Sequence, residues 1–168
     1  MWCGNICCVF STCRITRFMA PHFLLWNLHH PPLSQKHLRL TLLADHLAKP
    51  LLPSTPSARY TAALQALQSD TNVYMKLSGA FNEFASATPS DVDTLVADLK
   101  PYLEVVFSCF KGRVMFGSDW PVCNVGGPRG EEGNWGLWRD VVERVVGEGK
   151  EREGVWCEVG CEAYGIES

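Results

Sequence analysis

RVMFGSDWPVCNVGG, Arg113 to Gly127, holds the decisive turn of this 168-residue chain. Arg113 to Phe116 read as a buried strand. The strand runs on through Gly117 and Ser118 into an acid, Asp119, and Trp120-Pro121 cuts it off. A carboxylate at the end of a core strand has two readings. It is a turn residue, because Asp readily initiates turns, or it is aimed into a cavity where it can shuttle a proton or hold a divalent ion. The residues alone leave both open. Gly117 and Ser118 add little bulk, so another molecule has room to approach.

The same layout recurs upstream. Leu38 to Ala44 (LRLTLLA) is a short apolar run ending in Asp45-His46 and then Lys49-Pro50, which predicts a strand with polar groups at its C-terminal end. Asn72 to Leu77 (NVYMKL) predicts another, ended by Ser78-Gly79. Between them, Thr55-Pro56 supplies a cap and a first-turn proline, and Tyr60, Ala63, Leu64 and Leu67 predict a helix over 56–68. A longer helix is expected from Thr88-Pro89, with Asp91 in its first turn. Its apolar stripe is Val92, Leu95, Val96, Leu99, Leu103, Val106, Phe107 and Phe110. Pro101 should bend or break it, and Lys111-Gly112 should end it. Beyond Asp119 a loop with Gly126, Gly127, Gly130 and Gly133 precedes a helix marked by Trp138, Val141, Val142, Val145 and Val146. A short closing helix is expected over Val155 to Tyr164. Trp135 and Trp138 are expected to pack rather than to bind.

Strand and helix alternate without hairpin signals, the pattern of parallel βα units. No G-x-G-x-x-G or phosphate-binding loop follows a strand, which argues against a nucleotide-binding open sheet. Polar residues gathered at strand C-termini suit a (β/α)8 barrel, whose active sites are built there. A whole barrel takes about 250 residues, so the three strands predicted here make less than half of one. The outer strands would then present unpaired edges through which chains could self-associate.

Charge divides the chain. The first 44 residues hold Arg14, Arg17, Lys36 and Arg39 and no acid, so the rest carries 11 basic residues against 18 acidic ones. Residues 1–37 are therefore expected to be an irregular leader and 38–168 the folded part. A net charge of −3 gives no reason to expect nucleic acid or an anionic membrane as partner, and no run is long and apolar enough to span a bilayer. Of eight cysteines, Cys3, Cys7, Cys8 and Cys13 crowd the N-terminus without a paired C-x-x-C pattern. No clean export signal precedes them, so reduced thiols and a cytoplasmic location are expected. His22, His29, His30 and His37 lie in the leader; His29 and His30, being adjacent, would point to opposite faces of a strand. His46 is different, standing beside Asp45 at a strand end.

DHLAKP (Asp45–Pro50), VYMKLSG (Val73–Gly79) and RVMFGSDWPV (Arg113–Val122) resemble, in order and rough spacing, the last three strands of the amidohydrolase-related proteins. They are most similar to the branch that includes sugar lactonases. VWCEVGCEAYGI (Val155–Ile166) is similar to that family's closing helix, with Val159 where an asparagine is expected. The resemblance covers residues 38–166 and implies the fold class α/β, a partial (β/α)8 TIM barrel represented by strands six to eight.

The resemblance also implies chemistry. Asp119 matches the eighth-strand aspartate that takes a proton from the attacking water and, in metal-bearing members, ligates a divalent ion such as zinc. His46 matches the sixth-strand histidine that binds metal or substrate. Asp45, Lys49 and Trp120 match motif positions and are assigned structural or pocket-lining roles. The expected function is a hydrolase acting on a lactone, ester or amide carbonyl of a small molecule. The alternatives are a non-catalytic truncated fragment or pseudoenzyme that pairs with another chain, and a decarboxylase of the same superfamily. The family's first-strand H-x-H pair has no counterpart here, which leaves two expected metal ligands, Asp119 and His46, where three are usual. All of this requires those two side chains to project from neighbouring strand ends into one hollow.

Overall fold

The computed structural model of the chain describes Arg17–Phe18 and residues 41–148 and 150–167. Four strands form one parallel sheet: β1 (Arg17–Phe18), β2 (Leu42–Ala44), β3 (Val73–Leu77) and β4 (Val114–Phe116), in the order β1-β2-β3-β4. The register sets Ala44 beside Met75, Met75 beside Val114, and Leu77 beside Phe116. The predicted strands are therefore present, each shorter than its apolar run within the described residues. β1 lies inside the segment expected to be irregular and pairs Arg17 with Leu42. The rest of that segment, with Cys3, Cys7, Cys8, Cys13, His22, His29, His30 and His37, lies outside the described residues.

Alternation along the strands gives the sheet two faces. Leu42, Ala44, Val73, Met75, Leu77 and Val114 join the main core. It is closed by α1 (Ala58–Leu67), α2 (Val92–Cys109) and α3 (Gly130–Val146), whose Leu64, Leu95, Leu99 and Leu137 are wholly buried. Each such side chain contributes roughly 1.5–3 kcal/mol of burial. Leu43, Tyr74 and Met115 face the other way, where Val159 and Ala163 cover them. Those two belong to the closing helix, which runs as α4 (Lys150–Glu153), a π-helical turn (Gly154–Glu158) and α5 (Val159–Tyr164).

Several helix boundaries differ from the expected ones. Ser57, not Thr55, caps α1, accepting from Tyr60 N at 3.1 Å. Asp91 caps α2 through Thr94 N at 2.8 Å, and the hydroxyl of Thr88 donates to Phe81 O instead. The expected break at Pro101 does not occur, because α2 runs from Val92 to Cys109. Proline removes one helical hydrogen bond, and Leu95, Leu99, Leu103 and Val106 anchor the helix on both sides of it. Gly130 and Gly133, expected in a loop, lie in the first turns of α3. Buried Leu137, Trp138, Val141 and Val142 outweigh the helix cost of about 1 kcal/mol per glycine.

Arg113 ties these units together at the bottom of the sheet. Its guanidinium donates to Asp70 O (2.7 Å), Val73 O (2.6 Å), Gln68 O (2.8 Å) and Cys109 O (3.1 Å). Carbonyls left over at the ends of α1 and α2 thus share one cation. Cys109, Cys123, Cys157 and Cys161 are free thiols. No described helix is long and apolar enough to cross a membrane.

Candidate functional site

The strand ends are where the backbone departs from the conformations L-residues favour. After β2, His46, Leu47, Ala48 and Lys49 all have φ between +54° and +58°, a left-handed turn that costs about 1–2 kcal/mol per non-glycine residue. Fully buried Leu47 helps offset that cost. So does Tyr60, whose hydroxyl donates to Leu47 O at 2.7 Å. After β4, Asp119 itself has φ +58°, and its carbonyl accepts from Cys123 N at 2.8 Å. Strain of this kind clusters at functional sites.

These turns bring His46 and Asp119 together. His46 Nε2 lies 3.9 Å from Asp119 Oδ1, and the two side chains are 23% and 13% exposed. The parent strands are not neighbours, as the sequence reading required, because β3 runs between β2 and β4. What permits the contact is the end of β3. Gly79 (φ +59°) has no side chain; a Cβ there would collide with the His46 ring and come within 3.0 Å of Asp119 Oδ2. Ser78, fully buried, sets its Oγ 3.0 Å from His46 Nδ1. One strand end therefore both makes room for the ring and holds it.

Asp119 Oδ2 is buried without a hydrogen-bond partner among the described residues. Burial pushes its carboxyl above the ordinary carboxylate range, and Asp45 pushes the same way. His46, Lys76 and Lys49 pull it down without prevailing. A carboxylate that is hard to solvate and free at one oxygen is suited to accept a proton from water.

Beneath this pair lies a second one. Asp45 and Lys76 continue the inward-facing rows of β2 and β3, with Asp45 Oδ1 3.0 Å from Lys76 Nζ and the side chains 13% and 18% exposed. The contact is an ion pair by distance but lies off the hydrogen-bonding direction, since Asp45 Oδ1 has no hydrogen-bond donor. The stem of Lys76 lies over Gly117, where a Cβ would approach Lys76 Cγ to 3.0 Å. Lys49, assigned a lining role from sequence, reaches Glu83 at 3.2 Å, and Trp120 is 64% exposed on the rim. Trp138 packs edge-on against Phe81 with ring centroids 5.7 Å apart and donates to Leu77 O and Gly117 O, so it braces the ends of β3 and β4.

Lys76 carries no role in the sequence reading. Its signal was a lone lysine in the otherwise apolar VYMKL of β3. Ser78 was legible as a polar strand-end residue, but not as the partner of His46, 32 positions away.

The expected divalent ion meets two donors here, His46 and Asp119. Among the described residues no group of three His, Cys, Asp or Glu side chains could hold a metal, and a protein-held zinc takes three or more. The described residues therefore do not make a zinc site on their own.

Comparison with known proteins places the chain in a family. The family model described as Amidohydrolase matches residues 27–149. The chain is 33% identical over 116 residues to an L-fucono-1,5-lactonase of Burkholderia ambifaria, covering 68% of this chain and 38% of that protein. It is 30% identical over 96 residues to an L-rhamnono-gamma-lactonase of Scheffersomyces stipitis, covering 51% and 29%. A crystal structure of an amidohydrolase from Burkholderia multivorans with bound zinc superposes with a TM-score of 0.65 at 25% identity, over 90% of this chain and 53% of that one. A second structure of a Burkholderia multivorans amidohydrolase, with bound HEPES, gives 0.59 at 28% identity, over 75% and 45%. The chain spans less than half the length of the curated relatives it matches. With a parallel α/β sheet, an acid and an imidazole meeting at its strand ends, and a family match over most of its length, the chain belongs to the amidohydrolase family.

Proposed function

We propose that this chain provides the water-activating half of a sugar-lactone hydrolase, with Asp119 as general base. In this reading β2, β3 and β4 are strands six to eight of a (β/α)8 barrel and their C-terminal ends face the substrate. Asp119 takes a proton from water as the water oxygen attacks the lactone carbonyl. It then returns that proton to the ring oxygen as the carbon–oxygen bond breaks. His46, held through Nδ1 by Ser78, turns Nε2 toward the same space and orients the reacting groups. The likeness to fucono- and rhamnono-lactonases supports lactones as the substrate class.

The observation that carries the reading is the meeting of His46 and Asp119 across Gly79. Its test is acid release from L-fucono-1,5-lactone and L-rhamnono-gamma-lactone by the purified chain and by Asp119→Asn. The substitution should lower the rate at least 100-fold; equal rates from both proteins would remove Asp119 from the reaction. Carbon dioxide release in place of acid would assign the decarboxylase alternative.

A second reading, a chain that acts only when paired with another, is supported by apolar surface on one loop. Trp120, Val122 and Val125 are 64%, 50% and 68% exposed there. Light scattering distinguishes the two, because a strictly monomeric chain has no such partner in another copy.

A further inference from the structure

We infer that Lys76 is a catalytic residue of this site: its ammonium receives the carbonyl oxygen of the substrate as that oxygen becomes an oxyanion, and Asp45 positions it for the task. The inference rests on the lactonase reading and supplies what that reading lacks, a positive partner for the developing negative charge.

Four observations lead to it. Lys76 is the charged residue of β3, and its strand direction sends it to the face of Leu43, Tyr74 and Met115. Gly117, against which its stem lies, stands two residues before Asp119. A largely buried lysine needs a counter-charge, and Asp45 Oδ1 provides one at 3.0 Å. Asp45 Oδ1 accepts no hydrogen bond among the described residues, so its hold on the ammonium is one of charge. Gly117 leaves a trough for the lysine stem, since a Cβ there would drive into it. Finally, His46 and Asp119 offer a metal two protein donors, so a fixed ammonium is the electrophile these residues themselves provide.

The step balances with Lys76 protonated throughout. Water oxygen bonds to the carbonyl carbon while Asp119 takes one water proton, and the carbonyl π pair moves onto the oxygen facing Nζ. The pair returns, the ring carbon–oxygen bond breaks, and Asp119 delivers its proton to the departing alkoxide. The second water proton leaves the new carboxyl group to solvent. The product carboxylate then rests against the same ammonium.

Two measurements test this on the whole chain. The first is kinetic. Lys76→Met should lower kcat for L-fucono-1,5-lactone by about 100-fold or more, the size seen when one oxyanion donor is lost, with KM changed less than threefold. Lys76→Arg should recover part of kcat. The second needs no turnover: sodium L-fuconate and L-fucitol, which share a skeleton but differ in the carboxylate, are titrated against each protein by NMR. The unsubstituted chain should prefer the anion at least tenfold, Lys76→Met should lose that preference, and Asp119→Asn should keep it.

A Lys76→Met chain that retains both kcat and the preference for L-fuconate overturns the inference and leaves the lactonase reading standing. No lactone turnover by the unsubstituted chain sinks that reading, while an anion preference that depends on Lys76 would still stand. Should Lys76→Met fail to fold because Asp45 is left alone, Lys76→Met with Asp45→Asn removes both charges, and the same losses are expected of it.

Discussion

Ser78 Oγ and His46 Nδ1 are 3.0 Å apart, and this contact fixes which nitrogen of the ring meets Asp119. When the hydroxyl donates to Nδ1, the remaining ring proton is on Nε2 and points at the Asp119 carboxylate. When Nδ1–H donates to the hydroxyl instead, the Nε2 lone pair is presented to the hollow. A fully buried serine that serves either way is a support for the imidazole rather than a nucleophile, because no substrate can reach it.

Ser78→Ala removes that support without removing a reacting group. It should cost about 1–2 kcal/mol of stability, the usual effect of stranding a buried polar partner, read from urea unfolding. Lactone turnover should fall about 10-fold or more as the ring loosens. Unchanged turnover in a folded variant would show that the ring is held by other means.

Gly79→Ala and Gly112→Ala form a matched pair. Both glycines have positive φ, +59° and +68°, so alanine costs about 1 kcal/mol at either from backbone strain. A methyl at Gly112 would meet nothing within 4 Å apart from its chain neighbours, whereas at Gly79 the new methyl meets the His46 ring. Only Gly79→Ala should exceed the backbone cost and abolish turnover. Equal melting-temperature losses for the two would mean that His46 yields freely.

With Asp119 as the proposed base, activity and stability should be linked through pH. Burial raises its carboxyl in the folded chain above the unfolded value of about 3.9. A group shifted upward contributes stability while protonated and withdraws it as pH rises through the folded value. Asp119→Asn should therefore be the more stable protein at neutral pH, and its advantage should vanish below the ordinary carboxylate range. Thermal melts at pH 3 and pH 7 measure this. The rate of the unsubstituted chain should rise over the same window, as the base loses its proton.

Arg113 stands far from the hollow, and its loss should leave KM unaltered in whatever fraction stays folded. Arg113→Met abandons four backbone carbonyls at the ends of α1, β3 and α2. We expect a loss of roughly 2–4 kcal/mol, the scale of several charge-assisted bonds with partial rescue by water. A denaturation midpoint within error of the parent chain would contradict the clamp.

Sequence reading by itself determined the parallel βα plan and the acid and imidazole at strand ends, because apolar periodicity and punctuation are local properties of a chain. LLADH, VYMKLSG and VMFGSD each announce a buried strand that stops on polar residues. Helix starts were read less well: Thr55 and Thr88 looked like caps as good as Ser57 and Asp91, and backbone geometry chose between them. Tertiary structure alone decided that β3 runs between the strands carrying His46 and Asp119, that Gly79 lets the two side chains meet over it, and that Lys76 meets Asp45. Those contacts depend on register between parallel strands roughly 30 to 40 residues apart, and on a left-handed turn at His46–Lys49 that no local propensity favours. The physical reason is that packing against Tyr60 and the core, not the residues of the turn, supplies the energy that holds it.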